Sequence, residues 1–182
     1  MKRKRRSARK GSAHGVEKLK VKLTPELSYI IGLWKATRVP SGLGVRGRED
    51  LHAVFMDSCL KAKVAEPGKV LGGEHSVYFY HTAYRKFFQK VLDEEEERFK
   101  YKNEYSASFF AGLFDAVGEI GANGTVSFGR CTKTDEMILY RLGFNTLRKM
   151  GRTYVVRPLK FLAYIKPFVK LFAENEVMKK VL

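Results

Sequence analysis

The side chains of this chain that could do chemistry are poorly arranged for catalysis and well arranged for holding phosphate. Its four histidines, His14, His52, His75 and His81, share no ligand spacing with Cys59 or Cys131, so no zinc-type site is expected. Two cysteines cannot build a disulfide framework and read as reduced thiols of a cytoplasmic protein. No phosphate loop, dinucleotide fingerprint or nucleophile elbow occurs, and Gly121-Ala122-Asn123-Gly124 reads as a hairpin turn. The acidic run 94–97 reads as a solvated helix face able to pair with Arg98, Lys100 and Lys102. The basic residues are another matter. Lys and Arg total 35 against 19 Asp and Glu, a net charge of +16 over 182 residues. Such a surplus favours a polyanionic partner, nucleic acid first and an anionic membrane surface second.

Much of that charge lies at one end. Residues 1–22 carry ten Lys and Arg, among them Lys2, Arg3, Lys4, Arg5, Arg6, Arg9 and Lys10, against a single Glu, a local +9. Almost nothing apolar precedes Val16, so this arm cannot fold alone and is expected to be disordered when free. Its spacing suits neutralisation of successive phosphates, driven by counterion release. The plainer readings are a nuclear-type address or a solvated tail without a ligand. No apolar run approaches the ~18–20 residues a bilayer crossing needs. The basic start is not followed by an apolar stretch, which excludes a secretory signal. Without an amphipathic helix or lipidation signal, a membrane partner is not expected. One Gln and four Asn in the whole chain give a composition of the thermophile kind.

The elements that must position these residues come in two similar sets. Thr24-Pro25-Glu26 caps a helix running through LSYIIGLWKAT, LGVRG (43–47) suits a strand, and 48–64 has the apolar period of a helix. A turn at Pro67-Gly68 leads into a hairpin ending in SVYFYH (76–81), and AYRKFFQKVLDEEEERF closes the set as one helix. The second set opens with the helix YSASFFAGLFDAV (105–117), followed by a hairpin turning at Asn123-Gly124. A capped helix over 132–151 ended by Gly151, a strand RTYVVRP, and a helix from Lys160 broken at Pro167 complete it. Gly32-Leu33 and Gly112-Leu113 stand 80 residues apart at matching places. The reading is an α+β fold: a duplicated helix–strand–helix–strand–helix unit with pseudo-two-fold symmetry, residues 23–102 and 103–182. Small residues on one stripe, Gly32 with Leu33 and Ala111-Gly112 with Leu113, would let the first helices of the halves meet backbone to backbone.

FAGLFDAVGEI (110–120) resembles the LAGLIDADG motif of homing endonucleases and maturases, and IIGLWKATR (30–38) resembles its partner in the first half. With FLAYIKPF (161–168) and the element order, the resemblance covers about residues 23–175. It implies a homing endonuclease-like fold, in two-motif single-chain form, with a saddle-shaped sheet lying along a nucleic-acid duplex. It also implies an acid at the eighth position of each motif, holding divalent metal that activates water for phosphodiester cleavage, because hard cations want carboxylate oxygen. Here those positions are Thr37 and Val117, Lys35 replaces the first motif's other acid, and Asp115 remains at the sixth position of the second, where it would cap or support a helix end. Glu119 is the one conceivable substitute carboxylate. No catalytic residue, metal or cofactor is therefore expected, and the protein is read as a non-enzyme.

What outlasts the loss of cleavage is the binding surface. The candidate strands and their turns carry Arg46, Arg48, Lys69, Arg130, Lys133, Arg152 and Arg157, with Tyr78, Tyr80 and Tyr154. Alternation sets such residues on one face over a packed apolar face, as contact with phosphates and bases requires. Two functions compete. One is a non-cutting binder of structured RNA, a monomer within a larger assembly such as ribosomal RNA with ribosomal proteins, which the arm favours. The other is a DNA-binding homing endonuclease relative, either a decayed endonuclease or a transcription-factor-like binder.

Overall fold

The computed structural model describes residues 20–181, so the arm residues Lys2, Arg3, Lys4, Arg5, Arg6, Arg9 and Lys10 lie outside the described residues. Two helices form the centre. Thr24 caps α1 (Pro25–Thr37) by accepting the Leu27 N–H at 3.2 Å, with Pro25 in the first turn. Asn103 and Ser106 close a reciprocal capping box on α5 (Glu104–Val117). Both helices are apolar nearly all round, the pattern of a helix surrounded by protein. Ile30, Ile31 and Leu33 of one and Phe109, Phe110 and Leu113 of the other are fully buried.

Around α1 the first half places β1 (Leu43–Arg46), α2 (Glu49–Lys61), a short turn of 3-10 helix, β2 (Leu71–Gly73), β3 (Ser76–Phe79), α3 (Thr82–Asp93) and α4 (Glu95–Arg98). Its antiparallel sheet has the order β1-β3-β2. Around α5 the second half places β4 (Gly118–Ile120), β5 (Val126–Phe128), α6 (Lys133–Arg141), β6 (Thr146–Lys149), β7 (Arg152–Val155), α7 (Pro158–Ile165) and α8 (Glu176–Lys180), with sheet order β4-β5-β7-β6. The second sheet has one strand more because β4 leaves α5 directly and pairs with β5. The equivalent stretch after α1 makes only a single bridge, Arg38 to Val45. Pro40, two residues on, has no N–H to extend a ladder. Val77 and Phe79 face the core from the first sheet, Val126, Phe128 and Val155 from the second. Val21, within the stretch 1–22, already packs against this core.

Three expected elements come out differently. The helix expected over 132–151 ends at Arg141, where Gly143, at φ +87°, stops it as the Phe144 N–H turns back to the Leu139 carbonyl at 2.8 Å. Gly151 does not end a helix; with Met150 it supplies two left-handed residues (φ +73° and +49°) that turn β6 into β7. The helix expected through 83–99 breaks at Glu94, leaving Glu95 buried against Lys35. The chain beyond Pro167 regains helix only at α8, since the buried Asp115 carboxylate takes the Lys170 N–H at 2.7 Å.

Candidate nucleic-acid interface

Contact between α1 and α5 is reciprocal. A Cβ added at Gly32 would overlap the Phe109 carbonyl and come within 2.8 Å of the Leu113 nitrogen. One added at Gly112 would overlap the Tyr29 carbonyl and come within 3.0 Å of the Leu33 nitrogen. Each pair is the other shifted by 80 residues, so the helices cross on a pseudo-two-fold axis with only glycine fitting at the crossing. Leu33, Ala111 and Leu113 are buried beside it.

The two helices end together, at a pocket of about 390 Å³ whose walls include Thr37, Val117, Arg46, Arg48, Arg130 and His75. Helix C-termini leave carbonyls without helical donors and carry a partial negative charge. Here each end is met by an arginine from the opposite half. Arg130, just after β5, donates through Nη1 to the Ala36 carbonyl of α1 at 3.1 Å. Arg48, just after β1, donates through Nη2 to the Asp115 carbonyl of α5 at 3.4 Å. Gly47, at φ +135°, makes the turn that sets Arg46 and Arg48 beside the same pocket.

A divalent cation does not fit these donors. The Thr37 hydroxyl is committed to the Leu33 carbonyl at 2.7 Å, and Val117 has no donor atom. Asp115 points inward, accepting the Tyr29 hydroxyl at 2.6 Å and the Lys170 N–H at 2.7 Å. It supports the 170–172 segment rather than capping its own helix end. Burial pushes its carboxyl above the usual carboxylate range, against the opposing pull of these donors. Glu119 is on β4, where it pairs with Arg152 at 2.9 Å, and it does not line the pocket. Three guanidinium groups would also repel a metal. Among the described residues no group of three or more His, Cys, Asp or Glu is placed to share one.

The strand residues divide by parity. Arg46, Ser76 and Tyr78 project from the outer face of the first sheet, and Ser127, Arg152, Tyr154 and Lys149 from that of the second. Lys149 is Arg152's register partner; a helical reading of 132–151 hides it, whereas a strand period ending at Met150-Gly151 would have found it. The remaining expected residues are off the strands. Lys69 sits in the 3-10 turn, ion-paired with Glu66 at 2.8 Å. Lys133 begins α6 and Arg157 precedes α7. Tyr80 is exposed just past β3, edge-on to Tyr78 at 5.8 Å. No helix among the described residues is long and apolar enough to cross a membrane.

No family model matches the sequence, and no curated protein matches it by sequence. Solved structures match it in shape. The homing endonuclease I-DmoI, as a glycine-to-serine variant with its target DNA and magnesium, superposes with a TM-score of 0.58 at 14% identity, covering 78% of this chain and 95% of that one. Mesophilic variants of the same enzyme give 0.54 at 15% identity, covering 78% and 94%. Its complex with DNA and manganese gives 0.52 at 15%, covering 78% and 96%. With the reciprocal glycines and the two antiparallel sheets already described, these matches establish that the chain has the LAGLIDADG homing endonuclease fold.

Proposed function

We propose that the protein binds double-stranded nucleic acid along a saddle formed by the outer faces of its two sheets, and does not cut it. The observation that carries this reading is the pocket at the helix ends, where arginines from both halves stand and no carboxylate does. Hydrolysis of a phosphodiester in this arrangement would need a metal-bound or base-activated water, and the wall offers no acid to hold the metal. Binding needs less: basic and aromatic side chains on a rigid face over an apolar core, as at Arg46, Tyr78, Arg152 and Tyr154.

Of the two polymers, structured RNA is favoured by residues 1–22, whose ten basic residues suit a strand threaded between RNA helices; ribosomal RNA among ribosomal proteins is one such setting. The DNA reading has its own support, since I-DmoI was solved with its target DNA. Titrating the full chain with RNA and DNA duplexes of one sequence, in Mg²⁺ and in Mn²⁺, tests both. The expected result is tighter retention of RNA and recovery of every strand intact. Deleting residues 1–19, which spares Val21, should flatten the slope of log affinity against log salt by several units. Specific double-strand cleavage abolished by Glu119→Gln would overturn the non-cutting reading. Tighter binding of DNA would replace the RNA assignment with the DNA one.

A further inference from the structure

The pocket at the ends of α1 and α5 holds more positive charge than the fold uses. Arg130 and Arg48 each give one N–H to a helix carbonyl, which leaves most of the five donors of each guanidinium free and neutralises neither charge. Among the described residues the one carboxylate ion-paired with any of the three arginines is Asp50, which takes Arg48 Nε at 3.0 Å and is itself about half exposed. Arg46 has no side-chain partner among the described residues. Three guanidinium groups around one pocket repel one another unless an anion sits among them. Guanidinium forks match the paired oxygens of a phosphate, and a phosphodiester offers two such oxygens. A pocket of about 390 Å³ accommodates that group. Its position where the halves meet suits an internal phosphate of a duplex crossing both sheets better than a strand end.

We propose that this pocket clamps one backbone phosphate of the bound duplex at the pseudo-two-fold axis, with Arg46, Arg48 and Arg130 taking the place a metal ion would hold. The clamp rests on the duplex-binding reading and adds to it the group that is gripped at the centre. Arg46 is the recognition residue, free to turn wholly to the phosphate. Arg48 and Arg130 serve twice, closing the helix ends and presenting their remaining N–H groups. Binding through such a clamp is independent of divalent cations.

The test uses the full chain and a duplex selected from a random-sequence library by binding to it, so that the register is fixed. Single neutral methylphosphonates are scanned through that duplex, and affinity is read by anisotropy in EDTA and in Mg²⁺. The expected result is unchanged affinity in EDTA and one central position where the neutral linkage weakens binding roughly tenfold, the size of a charge-assisted hydrogen bond. Arg46→Gln should weaken binding by a similar factor and reduce the salt slope by about one. Combined, the two changes should cost no more than the neutral linkage alone, because the linkage already removes the contact that Arg46 makes. Should Arg46→Gln fail to fold, Arg46→Lys keeps the charge without the fork and should lose part of the effect. Additive losses, no sensitive position, or loss of binding in EDTA would overturn the clamp. Sensitivity only to a 5′-terminal phosphate would place a strand end there instead and overturn the internal assignment. Inorganic phosphate gives a reading that needs no duplex. It should raise the melting temperature of the wild type and not of Arg46→Gln, and equal shifts would contradict the clamp even if duplex binding itself failed.

Discussion

The two halves of the molecule touch through matching residues and are anchored by opposite charges. At the crossing, Gly32 meets Phe109 and Leu113 just as Gly112 meets Tyr29 and Leu33. Three residues further along each helix the symmetry breaks. In the first half the Lys35 side chain is 12% exposed, its ammonium 2.7 Å from the buried Glu95 and 2.6 Å from the buried Asp135 of the other half. In the second half Asp115 occupies the matching place and accepts the Tyr29 hydroxyl of the first. Backbone contact tolerates no change, so the symmetry survives there. Side-chain charge is free to diverge provided each buried ion finds partners. The divergence makes the halves non-interchangeable, and it removes the acid at the sixth position of the first motif.

The largest expected effect comes from breaking the asymmetric anchor. Lys35→Met leaves Glu95 and Asp135 without their shared cation, and the loss should be about 3–5 kcal/mol in a denaturant melt. Its pH dependence has a definite sign. Burial already raises the Glu95 carboxyl above its ordinary range, while Lys35 pulls it down. Without Lys35 it rises further. An acid raised on folding contributes stability at low pH and loses it as pH climbs through the folded value. The deficit of the variant should therefore narrow on acidification, and a deficit that widened would contradict this account of the anchor.

Breaking the symmetric contact comes next. Gly32→Ala and Gly112→Ala each drive a methyl into backbone that cannot turn aside, and each should cost about 3 kcal/mol or more. The two costs should be alike, because the contacts are alike. On an exposed helix face the same changes would stabilise by up to about 1 kcal/mol, so the sign alone separates the readings in a thermal melt.

What the sequence made legible was the part governed by short-range rules. The cap at Thr24, the helical period around Gly32 and Gly112, and the alternation in SVYF and RTYV all point to elements that formed, whereas the Asn103 cap on α5 is seen only in the structure. The 132–151 helix failed because Gly143 stops it after a run that is good helix sequence on both sides, and Met150, a non-glycine residue in the left-handed region, announces no turn. The arginines at the helix ends were legible only as basic residues. Their pairing with Ala36 and Asp115 joins positions 94 and 67 residues apart, which no local pattern encodes. The partners of Lys35 are hidden for the same reason.

A smaller effect sharpens the comparison between halves. Cys59 of the first half is fully buried, and burial pushes its thiol far above the ordinary range. Cys131 of the second is half-buried, its thiol pushed up to about 12 by burial and by Asp135 and Glu136. Thiolate is the reactive form, so both should resist a maleimide at pH 8 in the folded protein, with Cys131 reacting first. Earlier labelling of Cys59 would mean that the first half opens more readily.

The proposed binding mode lays nucleic acid across both sheets, and photocrosslinking of the full chain to its bound nucleic acid, read by peptide mass spectrometry, tests that most directly. Adducts are predicted on the outer faces of both halves, at or beside Tyr78 and Tyr154. Adducts confined to residues 1–22, with both sheets unmarked, would contradict it.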